Sequence, residues 1–155
     1  VVVSPAALGV SCPVVCEDPP HSGPVAGVAA GVAWIAHTHP TISLVAVLAV
    51  DTPDSPLLIP QLADALRQAG PQVDAVTVLA DGYVQPLGVL WRLAALQAAL
   101  ARVGDFTKAP LKRLLRGANI VTITPTGGIE RDYDTPEELQ NLPPAVPIVP
   151  AGETQ

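Results

Sequence analysis

"LVAVLAVDTPDSPLLIPQLADAL", residues 44–66, runs from an unbroken apolar stretch straight into Asp51 and then into an amphipathic segment. Apolar residues on both faces over Ile42–Val50 suit a central strand of a parallel sheet covered by helices. Residues 57–69 take up a helical pattern and stop at Gly70-Pro71, a helix-ending pair. Strand, loop and helix in this order form half of a βαβ unit. In open parallel sheets, ligands collect outside the carboxyl ends of the strands. Asp51 stands at such an end, where a carboxylate can hold Mg²⁺ shared with phosphates, because hard cations prefer oxygen ligands. The competing reading is a helix cap. Pro53 to Pro56 separate Asp51 from its helix, however, so Asp54 or Ser55 are the better caps.

Outward from this stretch, apolar runs alternate with helical patterns, which predicts an α/β architecture. Val1–Val3 and Pro13–Val15 read as short strands. Val25–Ala36 is too rich in Ala and Gly for a strand and reads as a buried helix, with Pro24 in its first turn. A strand is expected over Asp74–Leu79 and another over "GYVQPLGVL", after a turn at Asp81-Gly82. Residues 90–102 and 108–116 read as helices, and Asn119–Ile123 as a late strand. "DTPEE" from Asp134 resembles a helix start. The tail, 143–155, is Pro-rich and is expected as an extended arm.

Composition narrows the function classes. The chain of 155 residues has length for one domain with a real core. Charged residues make up 14% and the net charge is −6, which disfavours a nucleic-acid surface built on clustered Lys and Arg. No apolar run reaches the ~18 residues of a membrane span, and no secretory leader pattern is visible, so the expected location is the cytoplasm. Cys12 and Cys16 lack further zinc ligands nearby and are expected as small buried hydrophobes. His37 and His39 are expected in a solvated connection, and Trp34 and Trp91 in the core. Sequences of the G-x-S-x-G, H-E-x-x-H, C-x-x-C and Walker A types are absent, which removes support for hydrolase, zincin, redox and P-loop readings.

Three further segments carry candidate chemistry. "EDPPHSGPVAG", residues 17–27, is a small-residue loop entering a helix, either a plain tight turn or a place where backbone N–H groups face an anion. "RDYDTPEEL", residues 131–139, places Asp132 and Asp134 on one side of an extended segment, where a cation would offset their repulsion. "LKRLLR", residues 111–116, groups Lys112, Arg113 and Arg116, a solvated face or a phosphate contact.

The order "EDPPHSGPVAGVAAGV", "VLAVDTPDSPLLIPQL", "DGYVQPLGVLWRLAALQAAL", "LKRLLR", "DYDTPEEL" resembles the molybdenum cofactor guanylyltransferases, across residues 1–142. The resemblance implies a three-layer, Rossmann-like nucleotidyltransferase fold of the glycosyltransferase-A type, with a mostly parallel central sheet. It implies transfer of GMP from Mg·GTP to the phosphate of molybdenum-bearing molybdopterin, with release of pyrophosphate. Asp51 would hold the metal and serve catalysis, with Asp134 as a second metal ligand and Mn²⁺ as the alternative to Mg²⁺. Asp18, beside Glu17, would bind the nucleotide with Gly23, Pro24 and Asp51. Gln85 and Pro86, in the Q-P-L segment that ends at Leu87, would line the substrate side with Asp132 and Asp134. Expected partners are GTP, molybdopterin and molybdoenzymes or cofactor-delivery proteins, with no nucleic acid and no membrane, and the chain a monomer.

The family's opening strand and Gly-rich loop, of the type L-A-G-G-x-S-x-R-M-G-x-D-K, have no counterpart in residues 1–155 and are expected ahead of Val1. Two other readings fit the same residues. One is a related enzyme of different base or acceptor, such as a molybdopterin cytidylyltransferase. The other is a noncatalytic nucleotide-binding or partner protein that lacks the phosphate loop.

Overall fold

The structure is a computed structural model and describes residues 1–80 and 82–125. In chain order the elements are β1 (Val2–Val3), β2 (Val14–Val15), α1 (Pro24–Thr38), β3 (Leu44–Val47), α2 (Ile59–Ala69), β4 (Ala75–Ala80), β5 (Tyr83–Val84), β6 (Val89–Arg92), α3 (Leu93–Val103), α4 (Lys112–Leu115) and β7 (Ile120–Ile123). A 3-10 turn over Ser55–Leu58 leads into α2.

Alternation of side chains along the strands divides the core in two. Val45, Ala75, Val89 and Trp91 point to one face of the sheet and pack with Val25, Val32, Leu96, Leu100 and Leu114 of α1, α3 and α4. Val76, Val78 and Leu90 point to the other face and pack with Leu62 and Leu66 of α2. The result is the expected three-layer α/β arrangement, with helices on both sides of a sheet.

The strand directions refine that expectation. The five-stranded sheet has the order β3-β6-β4-β5, with β7 on β4. β4 and β7 pair in parallel, whereas β6 runs antiparallel to both β3 and β4, and β5 folds back on β4. Strands β3, β4 and β7 therefore run the same way, and β6 is inserted between the first two against their direction. The physical reason is connection length. A helix links β3 to β4, which permits a parallel crossover, but only a short loop and β5 link β4 to β6, and such a loop permits only reversal.

Ile42–Val50 is thus corrected in two respects. The strand covers Leu44–Val47, and among the described residues it stands at the end of the path of the five-stranded sheet and not at its centre. The carbonyls of Ser43 and Val47 accept from Leu93 and Gly88, so odd-numbered residues face β6, and the backbone polar groups of Leu44 and Ala46 face away from it. β1 and β2 pair in parallel as a separate two-stranded sheet. A groove of about 530 Å³ separates the two sheets, lined by Val1–Val3 on one side and Val45–Val50 on the other.

Helix boundaries show where tertiary pairing overrides local pattern. Residues 90–92, expected as helix, belong to β6, because Val89–Arg92 finds strand partners on both sides. The helix expected over 108–116 shortens to Lys112–Leu115. Cys12 and Cys16 flank the two-residue outer strand β2 and are exposed free thiols, not buried hydrophobes. Trp91 is buried as expected, while Trp34 is half-buried, with its ring edge-on to His39 at 5.4 Å between centroids. The turn at Asp81, the helix expected after Asp134 and the tail lie outside the described residues.

Candidate functional site

A second hollow, of about 280 Å³, opens at the carboxyl ends of β3 and β4. Its wall contains Asp51 and Thr52 from the loop after β3, Ser55 and Leu58 from the 3-10 turn, Val78 and Ala80 from β4, and Gln85 to Gly88 between β5 and β6. Ala49 and Leu87 line this hollow and the larger groove alike, so the two adjoin. The sequence rule that put Asp51 at a strand end therefore places it at the mouth of a real cavity.

The loop carrying Asp51 is held by its own turns. Thr52 Oγ1 donates to the Ala49 carbonyl at 3.3 Å, and the Ser55 N–H donates to the Thr52 carbonyl at 2.9 Å. Asp54 occupies the position before the 3-10 turn, but no side-chain cap bond forms there, and Leu58 is the residue before α2, so neither Asp54 nor Ser55 caps the helix as expected. Asp51 itself is exposed and makes no hydrogen bond or ion pair among the described residues. A carboxylate is tolerated so soon after an apolar strand because the chain has left the sheet after Val47 and Asp51 is exposed to solvent.

Gln85 is fixed from behind. Its N–H donates to the Val78 carbonyl at 2.9 Å, and its carbonyl accepts from Thr77 Oγ1. Thr77 is fully buried in β4, a polar side chain among apolar neighbours, and this bond satisfies it. Thr77→Val keeps the shape but orphans the Gln85 carbonyl. The expected result is a loss of about 1–2 kcal/mol, read as a lower urea midpoint at unchanged slope. An unchanged midpoint would show that the Thr77 bond does not hold the Gln85-Pro86-Leu87 wall.

At the larger groove, Gly23 and Pro24 form the wall where α1 begins, together with Glu17. Gly23 has φ +106°, and a Cβ there would lie 3.0 Å from the Lys108 Cα, so only glycine suits the position. The Lys108 N–H donates to the Ser22 carbonyl at 2.6 Å, which ties the two loops together. The Lys108 loop is itself braced by Asp105, whose carboxyl accepts the Thr107 N–H and is held below the usual carboxylate range by that bond. Farther along α1, Gly31 lets Val3 approach to 3.2 Å of where a Cβ would be, which explains the glycine spacing of this helix.

The sequence pointed to Asp18 as the acidic residue of this loop. Asp18 is exposed and lines neither hollow, whereas Glu17 is half-buried and does. The Glu17 carboxylate accepts the His21 N–H at 2.9 Å, which shapes the turn before Gly23. Partial desolvation and the Glu17 carboxylate together push the Cys16 thiol up. Thr77, which the motifs do not include, and Ser55, read from the sequence only as a cap candidate, prove to be the buried polar side chains among the described residues. Thr77 carries no sequence signal, since it sits in an ordinary strand pattern.

The structure thus brings Asp51, Gln85 and Pro86 together in one hollow, and Gly23 and Pro24 in the adjoining one. Asp132 and Asp134 lie outside the described residues. Lys112, Arg113 and Arg116 are exposed, with Leu111 of the same segment in the groove wall. Among the described residues no group of three His, Cys, Asp or Glu could cage a metal ion. A single open carboxylate suits a cation shared with substrate phosphates and water, which is how Mg²⁺ is usually bound, and not a resident all-protein site. No helix among the described residues is long and apolar enough to cross a membrane.

The family model described as a MobA-like NTP transferase domain matches residues 1–122. None of the curated proteins matches. Among solved structures, the fold is similar to molybdopterin-guanine dinucleotide biosynthesis protein A from Archaeoglobus fulgidus, with a TM-score of 0.54 at 21% identity. That likeness covers 82% of this chain and 64% of the other, so the chain spans less than two thirds of the relative's length.

Proposed function

Because the chain belongs to the MobA-like NTP transferase family, we propose that it transfers GMP from Mg·GTP to the phosphate of molybdenum-bearing molybdopterin. One oxygen of the acceptor phosphate attacks the α-phosphorus of GTP, the bond to the β-phosphate oxygen breaks, and pyrophosphate leaves. The observation that carries this reading is the hollow at the carboxyl ends of β3 and β4, lined by the exposed Asp51 and by Gln85, Pro86 and Leu87.

The chemistry asks little covalent work of the protein. Nucleotidyl transfer needs in-line positioning and neutralisation of charge on phosphate oxygens. The acceptor brings its own nucleophile, so no side-chain nucleophile is required. Asp51 is the residue that would hold Mg²⁺, which when bound neutralises phosphate charge. Gly23 and Pro24, at the start of α1 beside it, are assigned to the nucleotide with Asp51, and the Gln85 wall to the acceptor.

The test is a nucleotide screen by thermal unfolding in the presence of Mg²⁺, since a ligand that binds only the folded state raises apparent stability. GTP is expected to give the largest rise, and the rise should shrink when Mg²⁺ is chelated. A larger rise with CTP would transfer the assignment to cytidylyl chemistry. No rise with any nucleotide would contradict nucleotidyl transfer and favour a partner protein of this fold.

A further inference from the structure

Among the described residues, Ser55 Oγ is the buried side-chain polar atom without a hydrogen-bond partner. Ser55 is 3% exposed, and its backbone is settled, with the N–H given to the Thr52 carbonyl. The hydroxyl alone is left over. Native structures pair nearly all such groups, and each exception calls for an explanation. Alanine would fill the same space without a stranded polar atom, so the folded chain by itself gives no reason for serine.

The surroundings of Ser55 supply one. The residue lies in the wall of the hollow that holds Asp51 and Gln85. Of its polar neighbours there, Thr52 already uses its hydroxyl on the Ala49 carbonyl. The remaining wall is largely apolar, with Leu58, Val78, Ala80 and Leu87. A small, mostly apolar hollow with a few polar groups suits a planar heterocycle with donors and acceptors at its edge better than a triphosphate. A serine side chain has one torsion with three wells, so the hydroxyl can change direction without backbone motion.

We propose that Ser55 is a positioning residue for the acceptor: its hydroxyl hydrogen-bonds the polar edge of the pterin ring in the hollow beside Asp51. This rests on the acceptor assignment given above. It also explains why the unliganded chain keeps a hydroxyl that nothing satisfies, since the bond is made only when the hollow is filled.

The experiment measures binding of free pterin, followed by its fluorescence, to the wild-type protein and to Ser55→Ala, without nucleotide. Thermal unfolding of both is recorded in the absence of ligand. Ser55→Ala is expected to bind pterin roughly tenfold more weakly, as for loss of one hydrogen bond, while its unfolding temperature stays level or rises. Ser55→Thr, which restores a hydroxyl, should recover part of the affinity. A lower unfolding temperature with unchanged pterin affinity would overturn the proposal and assign Ser55 a structural partner such as an internal water. Absence of pterin binding to the wild type would also overturn it. Because GTP is left out, these outcomes are independent of whether the protein transfers GMP.

Discussion

Asp51→Asn is expected to lower pyrophosphate release by roughly a hundredfold or more, the scale of losing a charge that stabilises developing phosphate charge. The fold should not notice. Asp51 is exposed and makes no hydrogen bond or ion pair among the described residues, so the amide replaces nothing that holds the chain together. Surface changes of this kind usually stay within about 0.5 kcal/mol. A matched control is Asp64→Asn. Asp64 carries the same charge but sits on α2 in an exposed pair with Arg67 at 2.9 Å. Such pairs contribute little, and turnover should be unchanged. If both variants lost activity alike, net charge and not the position of Asp51 would be responsible. If neither did, Asp51 would have no part in the chemistry.

Trp91→Ala is expected to produce the largest loss of stability, about 3–5 kcal/mol. Trp91 is 1% exposed and belongs to the inserted strand β6, where its backbone faces Val45 on one side and Ala75 on the other. Its side chain sits in the core shared by α1, α3 and α4. Removing the ring opens a cavity at the place where the sheet and three helices meet. Set against the roughly 5–15 kcal/mol by which domains are stable, the loss is a large fraction of the whole. Chemical denaturation should show it as a lower midpoint at similar slope. A loss below about 1 kcal/mol would mean that the surrounding helices collapse into the space and that this face of the core is not tightly packed.

Much of the scaffold was legible because its signals are local. Pro24 begins α1, and Gly70, with φ +87°, ends α2. The strand-to-loop change at Asp51 led directly to the hollow that contains it. The features that escaped depend on distant partners. Residues 90–92 read as the start of a helix until β3 and β4 close on them from both sides. Glu17 and Asp18 are adjacent acids with no local signal to tell them apart, and in the fold it is Glu17 that is half-buried and accepts the His21 N–H. Thr77 and Ser55 look like ordinary strand and turn residues, and their importance arises from what does or does not reach their hydroxyls in the fold. Cysteine as a residue type favours burial, but Cys12 and Cys16 flank a two-residue strand whose one partner among the described residues is β1, and both are exposed.

The reading of this chain as a nucleotidyltransferase comes down to one reaction. The protein, with Mg²⁺, GTP and molybdenum-bearing molybdopterin, is followed for pyrophosphate. One pyrophosphate per acceptor consumed, dependent on both the acceptor and Mg²⁺, is the predicted result. Tight binding of Mg·GTP and acceptor with no pyrophosphate formed would contradict it.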